Sequence, residues 1–159
     1  KNLPVIFVCE NNFYSVYTPL SVRQPLNRSL TKMCKSIGVK SSKCDGNNAI
    51  KLYKKLSKIA KYVRKNQQPY FIEFTTYRWL EHCGPNYDNK IGYRSENEFL
   101  KWRKKDPLNI LKKKIPKSDL KKILKIESQI KKEIKLAFNY AERSPFPSKD
   151  NAFKGLYAK

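Results

Sequence analysis

The chain has 159 residues, 40% of them hydrophobic and 13% aromatic, which allows one domain with a buried core and excludes disorder throughout. Its formal charge of +22 points either to a polyanion partner or to a solvated cationic surface. Lys far outnumbers Arg, which favours the solvated surface over a nucleic-acid reader built on bidentate Arg contacts.

The longest apolar run, Leu3 to Cys9, is too short to cross a bilayer, and no signal peptide is visible. Cys9, Cys34, Cys44 and Cys83 form no Cys-x-x-Cys pair, so reduced thiols in a cytoplasm are expected. With His82 the single histidine, a His-cluster zinc site is excluded. The chain begins without Met and enters an apolar run almost at once, which reads as a cut and not as a natural start.

Leu3 to Cys9 is apolar at both parities, the pattern of a strand covered on both faces in a parallel sheet. Polar Glu10-Asn11-Asn12 follows at its carboxyl end, where open α/β sheets bind ligands. The spacing of Leu30, Met33, Cys34 and Ile37 predicts a helix stopped by Gly38. Val39 to Cys44 is a short segment before the Asp45-Gly46-Asn47 turn. Ala49, Leu52, Tyr53, Leu56, Ile59, Ala60 and Val63 then form the stripe of an amphipathic helix. Tyr70 to Thr76, aromatic and β-branched, reads as another strand. The alternation of strand and helix predicts an α/β fold with a parallel sheet.

Glu81 to Arg94 contains Gly84, Pro85 and Gly92 and reads as a long ordered loop, a kind of segment that is often functional. Ser95 to Glu98 reads as a capping box opening a helix with Phe99 and Trp102, and Asp106-Pro107 restarts a shorter one. After Pro116, Ser118 is expected to cap a long helix whose Leu120, Ile123, Leu124, Ile130, Ile134, Ala137, Phe138 and Ala141 face inward, ending at Ser144-Pro145-Phe146-Pro147.

Chemistry has few places to sit. No Gly-x-Gly-x-x-Gly, Walker loop or Gly-x-Ser-x-Gly elbow is present. A strand-end Asn-Asn followed by Phe13-Tyr14 offers a carboxamide oxygen and a nearby backbone carbonyl to a hard cation such as Mg²⁺; on spacing alone a polar turn explains it as well. His82, between Glu81 and Cys83 at the start of the loop, is either an ordinary surface residue or a group that moves protons near neutrality.

Taken together, these segments resemble the alpha subunits of thiamine-diphosphate-dependent 2-oxo acid dehydrogenases. Leu3 to Asn12 resembles the second half of the family's cofactor motif, which runs from Gly-Asp-Gly to Asn-Asn, and Tyr14 and Thr18-Pro19 continue the match. Thr76-Tyr77-Arg78, His82 and Gly92-Tyr93-Arg94-Ser95 are similar to the active-site loop, and Asp106-Pro107 and Ser144 to Pro147 to the C-terminal region. The resemblance implies the C-terminal portion of a three-layer, parallel-sheet thiamine-diphosphate-binding fold with a helical tail: residues 1–95 as the α/β part with the loop, and residues 96–159 as its helical extension. It implies thiamine diphosphate and Mg²⁺ as cofactors, with the Asn12 side chain and the Tyr14 main-chain carbonyl on the metal. His82 would approach the diphosphate and assist acyl transfer to a lipoyl group, while Arg78, Tyr93 and Arg94 would order the loop. A beta subunit in a heterotetramer, a lipoyl domain and a small 2-oxo acid are the implied partners.

Two departures matter. Glu81-His82-Cys83 stands where pyruvate and branched-chain members have Gly-His-Ser, so phosphorylation of that serine finds no support, and Trp79 to Asp88 resembles a bacterial branch. The Gly-Asp-Gly half of the motif, with its Asp ligand, is missing from this sequence. The competing reading is a basic binding module for nucleic acid or another polyanion, built on the lysines between Lys101 and Lys135; the same face could instead steer an acidic partner.

Overall fold

The computed structural model describes residues 2–155 and Tyr157. Contacts divide the chain into two compact units, Lys1–Lys114 and Ile115–Lys159. In the first, β1 (Ile6–Asn11), β4 (Lys40–Asp45) and β5 (Tyr70–Thr75) form a three-stranded sheet in the order β1-β5-β4. Both pairings are parallel and in step, Ile6 and Lys40 each opposite Tyr70, Asn11 and Asp45 each opposite Thr75. The central position falls to β5, whose aromatic and β-branched side chains suit burial on both faces; Tyr70, Ile72, Glu73 and Phe74 are all buried.

Side chains of a strand alternate between faces, so Tyr70, Ile72 and Phe74 share one face, and Phe71, Glu73 and Thr75 the other. Helix α3 (Ala49–Asn66) covers the first face, packing Ile59 and Val63 on Tyr70, Ile72 and Phe74. Of the predicted stripe, Ile59 and Val63 enter the core and Leu52 and Leu56 pack partly buried against it, whereas Tyr53 is exposed. Asn48 caps α3 by accepting from the Lys51 N–H at 3.1 Å, and Gln67, left-handed at φ +52°, ends it. Helix α2 (Leu30–Ser36) packs against β4 and β5, and Ser41 ties it down by donating to the Thr31 carbonyl at 2.7 Å. Gly38 follows α2 at φ +82°, as expected of a residue that terminates a helix in the left-handed region.

The first strand departs from expectation. It starts at Ile6, not Leu3, and Phe7 and Val8 on opposite faces are both about half exposed. Strand β1 lies at an edge of the described sheet, and the helices that bury the centre do not cover it to the same depth.

Beyond β1, the hairpin β2 (Tyr14–Ser15) and β3 (Thr18–Pro19) leads into the short helix α1 (Leu20–Arg23). After β5 comes the long loop, with one 3₁₀ turn at Asn89–Ile91, then α4 (Glu96–Arg103) and α5 (Pro107–Lys112). Asp106 caps α5 by accepting from the Leu108 N–H at 2.9 Å, with Pro107 in its first turn.

The second unit holds α6 (Leu120–Arg143), and two expectations fail there. Ser118 does not cap α6: it sits inside a 3₁₀ turn, Lys117–Asp119, and the residue at the cap, Asp119, is already helical at φ −95°, ψ −4°. A capping side chain needs an extended backbone to reach the first free N–H groups, and Asp119 pairs instead with Lys122 at 2.8 Å. The apolar stripe is also present without being buried, because α6 has no buried residue, and Leu124, Ile134 and Phe138 are largely exposed.

Candidate functional site

The carboxyl ends of the parallel strands converge on a polar turn. Asn11 closes β1 by donating to the Glu73 carboxylate at 2.8 Å, and its backbone carbonyl accepts from Thr76 at 3.0 Å. Two successive Asx turns follow: the Asn11 side-chain oxygen accepts from the Phe13 N–H at 3.1 Å, and that of Asn12 from the Tyr14 N–H at 3.0 Å. Phe13, between the two candidate ligands, is left-handed at φ +67°, a rare conformation for a side-chain-bearing residue.

The hairpin sets the direction of the Tyr14 carbonyl. Leu20 N–H donates to the Phe13 carbonyl at 2.7 Å, and Tyr14 stands opposite Pro19, which has no N–H. Bonded and non-bonded pairs alternate along an antiparallel ladder, so Tyr14–Pro19 is a non-bonded pair and the Tyr14 carbonyl turns away from β3. The Asn12 carboxamide oxygen accepts one N–H and retains a lone pair. The turn thus presents two neutral oxygens, the kind of hard donor Mg²⁺ takes. Among the described residues no group of three His, Cys, Asp or Glu could hold a metal by itself.

Glu73, buried on the same side of the sheet, takes Asn11 and an ion pair from half-exposed Lys43 at 3.0 Å. A cleft of 340 Å³ runs beside the turn, lined by Asn12, Tyr14, Glu10, Arg23 and Gln24 among others. A second, of 310 Å³, is lined by Asn11, Glu73, Lys43 and Arg28 among others. At the end of β4, buried Asn47 donates to the Lys105 carbonyl and accepts from the Thr76 hydroxyl, both at 2.9 Å. It thereby joins two strand ends to the turn between α4 and α5.

The loop after β5 is organised around one carboxylate. Asp88, buried at 3% exposure, accepts from Arg94 at 2.6 Å and from the Tyr93 hydroxyl at 2.8 Å, with Arg78 at 3.7 Å. Arg94 donates as well to the Arg78 carbonyl at 2.6 Å and the Trp79 carbonyl at 3.2 Å. Its guanidinium lies 5.1 Å from the ring centres of both Tyr77 and Tyr93, which offsets in part the buried Nε that has no hydrogen-bond partner among the described residues. Arg78 reaches in the other direction, donating to the Val16 carbonyl of the hairpin at 2.8 Å and to the Leu80 carbonyl at 2.9 Å. Burial, and then the bond to Asp88, pushes the Tyr93 phenol above its ordinary pKa. Arg78, Tyr93 and Arg94 are thus brought together.

His82 is placed differently. Glu81 and Asn86 close the tip of the loop, the Glu81 N–H donating to the Asn86 carbonyl at 2.9 Å and the Glu81 carboxylate accepting the Asn86 amide at 2.8 Å. His82 sits within that tip, exposed, and among the described residues it makes no hydrogen bond or ion pair.

Helix α4 contributes what sequence reasoning missed. Ser95 caps it as expected, accepting from the Glu98 N–H at 3.2 Å, but Glu98 does not close the box. Its carboxylate takes the Tyr14 hydroxyl, 2.9 Å from each oxygen. Burial, and then this bond, pushes the Tyr14 phenol up to about 12. Asp88 carried a faint signal as one of two acids in a loop flanked by Arg78 and Arg94; Glu98 carried a misleading one, since its spacing from Ser95 already had a local explanation.

A parallel α/β sheet with an oxygen-rich turn at its carboxyl edge and an arginine-ordered loop beside it is the arrangement at which open α/β folds bind ligands. Comparison with known sequences makes it specific. The model of the dehydrogenase E1 component family matches residues 1–150, and the chain belongs to that family. It is 33% identical over 161 residues to the pyruvate dehydrogenase E1 component subunit alpha of Rickettsia felis, covering 98% of this chain and 47% of that protein. It is 30% identical over 158 residues to the mitochondrial 2-oxoisovalerate dehydrogenase subunit alpha 2 of Arabidopsis thaliana, with 97% and 33% covered, and likewise 30% identical to the corresponding subunit alpha of Macaca fascicularis, with 97% and 35% covered. The chain therefore spans about half the length, or less, of these relatives. No helix among the described residues is long and apolar enough to cross a membrane.

Proposed function

We propose that this chain serves the thiamine-diphosphate-dependent oxidative decarboxylation of a small 2-oxo acid, with acyl transfer to lipoamide, as part of a dehydrogenase alpha subunit paired with a beta subunit. Family membership and the alpha-subunit relatives support the reaction class. The observation that carries the local assignment is the Asn12–Tyr14 turn, which offers a carboxamide oxygen and an outward backbone carbonyl at the carboxyl edge of the sheet.

On this reading the whole enzyme has the three-layer thiamine-diphosphate-binding fold, and Asn12 and Tyr14 supply two oxygens to Mg²⁺. The cofactor, when bound, provides the electron sink that decarboxylation of a 2-oxo acid requires. The residues of this chain bind and orient. The Asp88-centred network holds the loop in one conformation through Arg78, Tyr93 and Arg94. His82, free at the loop tip, is available to donate to a phosphate oxygen or to pass a proton to a lipoyl sulfur. The lysine-rich helical surface would draw in an acidic lipoyl domain, and the four free cysteines accord with the cytoplasm as the working compartment.

The test is direct. The assembled enzyme, alpha chain with its beta subunit, is expected to release carbon dioxide from pyruvate or 2-oxoisovalerate only when thiamine diphosphate and Mg²⁺ are both present. Turnover of no member of a panel of small 2-oxo acids that includes these two, or cofactor-independent turnover, would refute the assignment.

A further inference from the structure

The turn that carries both proposed oxygen ligands is held from outside by helix α4. Glu98 and Trp102 stand four residues apart on that helix and so share a face. Glu98 accepts the Tyr14 hydroxyl at 2.9 Å on both oxygens; Trp102 packs its ring against Phe13 at 5.7 Å. Trp102 also stacks on Tyr77 at 5.4 Å and 9°, and Tyr14 stands edge-on to both Tyr77 and Tyr93, at 6.4 and 5.4 Å. Such clamps are what a strained turn needs, because a left-handed Phe13 at φ +67° is a conformation that persists only when its surroundings over-determine it.

The behaviour of Glu98 is informative in its own right. A glutamate at this position of a helix ordinarily reaches back to the N–H of its capping residue. Here the carboxylate forgoes that local donor for a hydroxyl 84 residues earlier in the chain. A phenol is protonated at neutral pH, so the Tyr14 hydroxyl is a dependable donor to this carboxylate.

We propose that Glu98 is a positioning residue of the cofactor site, fixing Tyr14 so that the Asn12–Tyr14 turn keeps the conformation that presents its two oxygens to the metal. The proposal rests on the thiamine-diphosphate reading above. It links the helix that follows the active-site loop to the metal turn through one hydrogen-bonded pair, so that loop order and cofactor affinity become coupled.

The experiment is a calorimetric titration of the assembled enzyme with thiamine diphosphate over a series of Mg²⁺ concentrations, run beside steady-state rates. Tyr14→Phe, which keeps the ring and its packing, and Glu98→Ala are each expected to raise the Mg²⁺ concentration for half-saturation by roughly tenfold, the scale for loss of a residue supporting a metal ligand. The rate at saturating Mg²⁺ should fall far less. Glu98→Gln, which retains an acceptor oxygen, should recover most of the loss, and the double variant Tyr14→Phe/Glu98→Ala should be no worse than either single one. Unchanged half-saturation in Tyr14→Phe, or additive losses in the double variant, would overturn the proposal even if Glu98→Ala fails to fold. A parent enzyme that binds no cofactor would instead remove the functional reading and this inference with it; a parent that binds normally while its variants bind equally well removes the inference alone.

Discussion

The Arg94 guanidinium meets the Asp88 carboxylate at 2.6 Å, and both side chains are 1% exposed. A pair taken this far from water is held by mutual neutralisation and by the further donors around it, here the Tyr93 hydroxyl. Removing one partner leaves the other charged and unpaired. Asp88→Ala should therefore cost about 3–5 kcal/mol, the range for a broken buried pair, and should open the loop. Chemical denaturation gives the first quantity, and limited proteolysis within residues 81–87 the second. A variant as stable and as resistant as the parent would show that the pair does not hold the loop.

Val16 is left-handed at φ +56°, which is costly for a β-branched residue. Its carbonyl accepts from Arg78, a contact that any residue at this position can make. Val16→Gly relieves about 1–3 kcal/mol of backbone strain against about 0.5–1 kcal/mol for the greater freedom of an unfolded glycine. A net gain of roughly 1 kcal/mol is expected, read as a higher denaturation midpoint. A lower midpoint would mean that the exposed valine contributes more than its backbone costs.

The Tyr14 phenol gives a pH signature. Its pKa is raised from 10.0 to about 12, first by burial and then by the bond to Glu98, so folding favours the protonated form. The stabilisation is complete below pH 10 and is lost as the pH climbs through 12. Stability should fall over that window, and Tyr14→Phe should make the fall shallower. Melting temperatures between pH 8 and pH 12, compared for parent and variant, decide the matter; parallel curves would contradict it.

His82, exposed at the loop tip and without a hydrogen bond or ion pair among the described residues, can leave the fold untouched when replaced. If the proposed function holds, His82→Ala in an enzyme assembled with a beta subunit should spare decarboxylation, followed with an artificial electron acceptor, more than acyl transfer to a lipoyl domain. The latter should fall by roughly a hundredfold or more, the scale of a lost acid or base. Near-parental rates in both assays would leave His82 an ordinary surface residue.

Local signals in the sequence were enough to place the strand at Tyr70–Thr75, the stripe of α3 and the stop at Gly38, because the periodicity or backbone freedom that produces each is carried by neighbouring residues. The polar turn at Asn11-Asn12 was legible for the same reason: its Asx bonds span only two residues. What tertiary structure decided lies in partners distant along the chain. Glu98 was indistinguishable from the last residue of a capping box until the fold brought Tyr14, 84 positions away, within hydrogen-bond reach. The stripe on α6 was equally visible in the sequence, yet an amphipathic pattern states only that a face can be buried; whether it is depends on what packs against it, and in α6 that face is largely exposed.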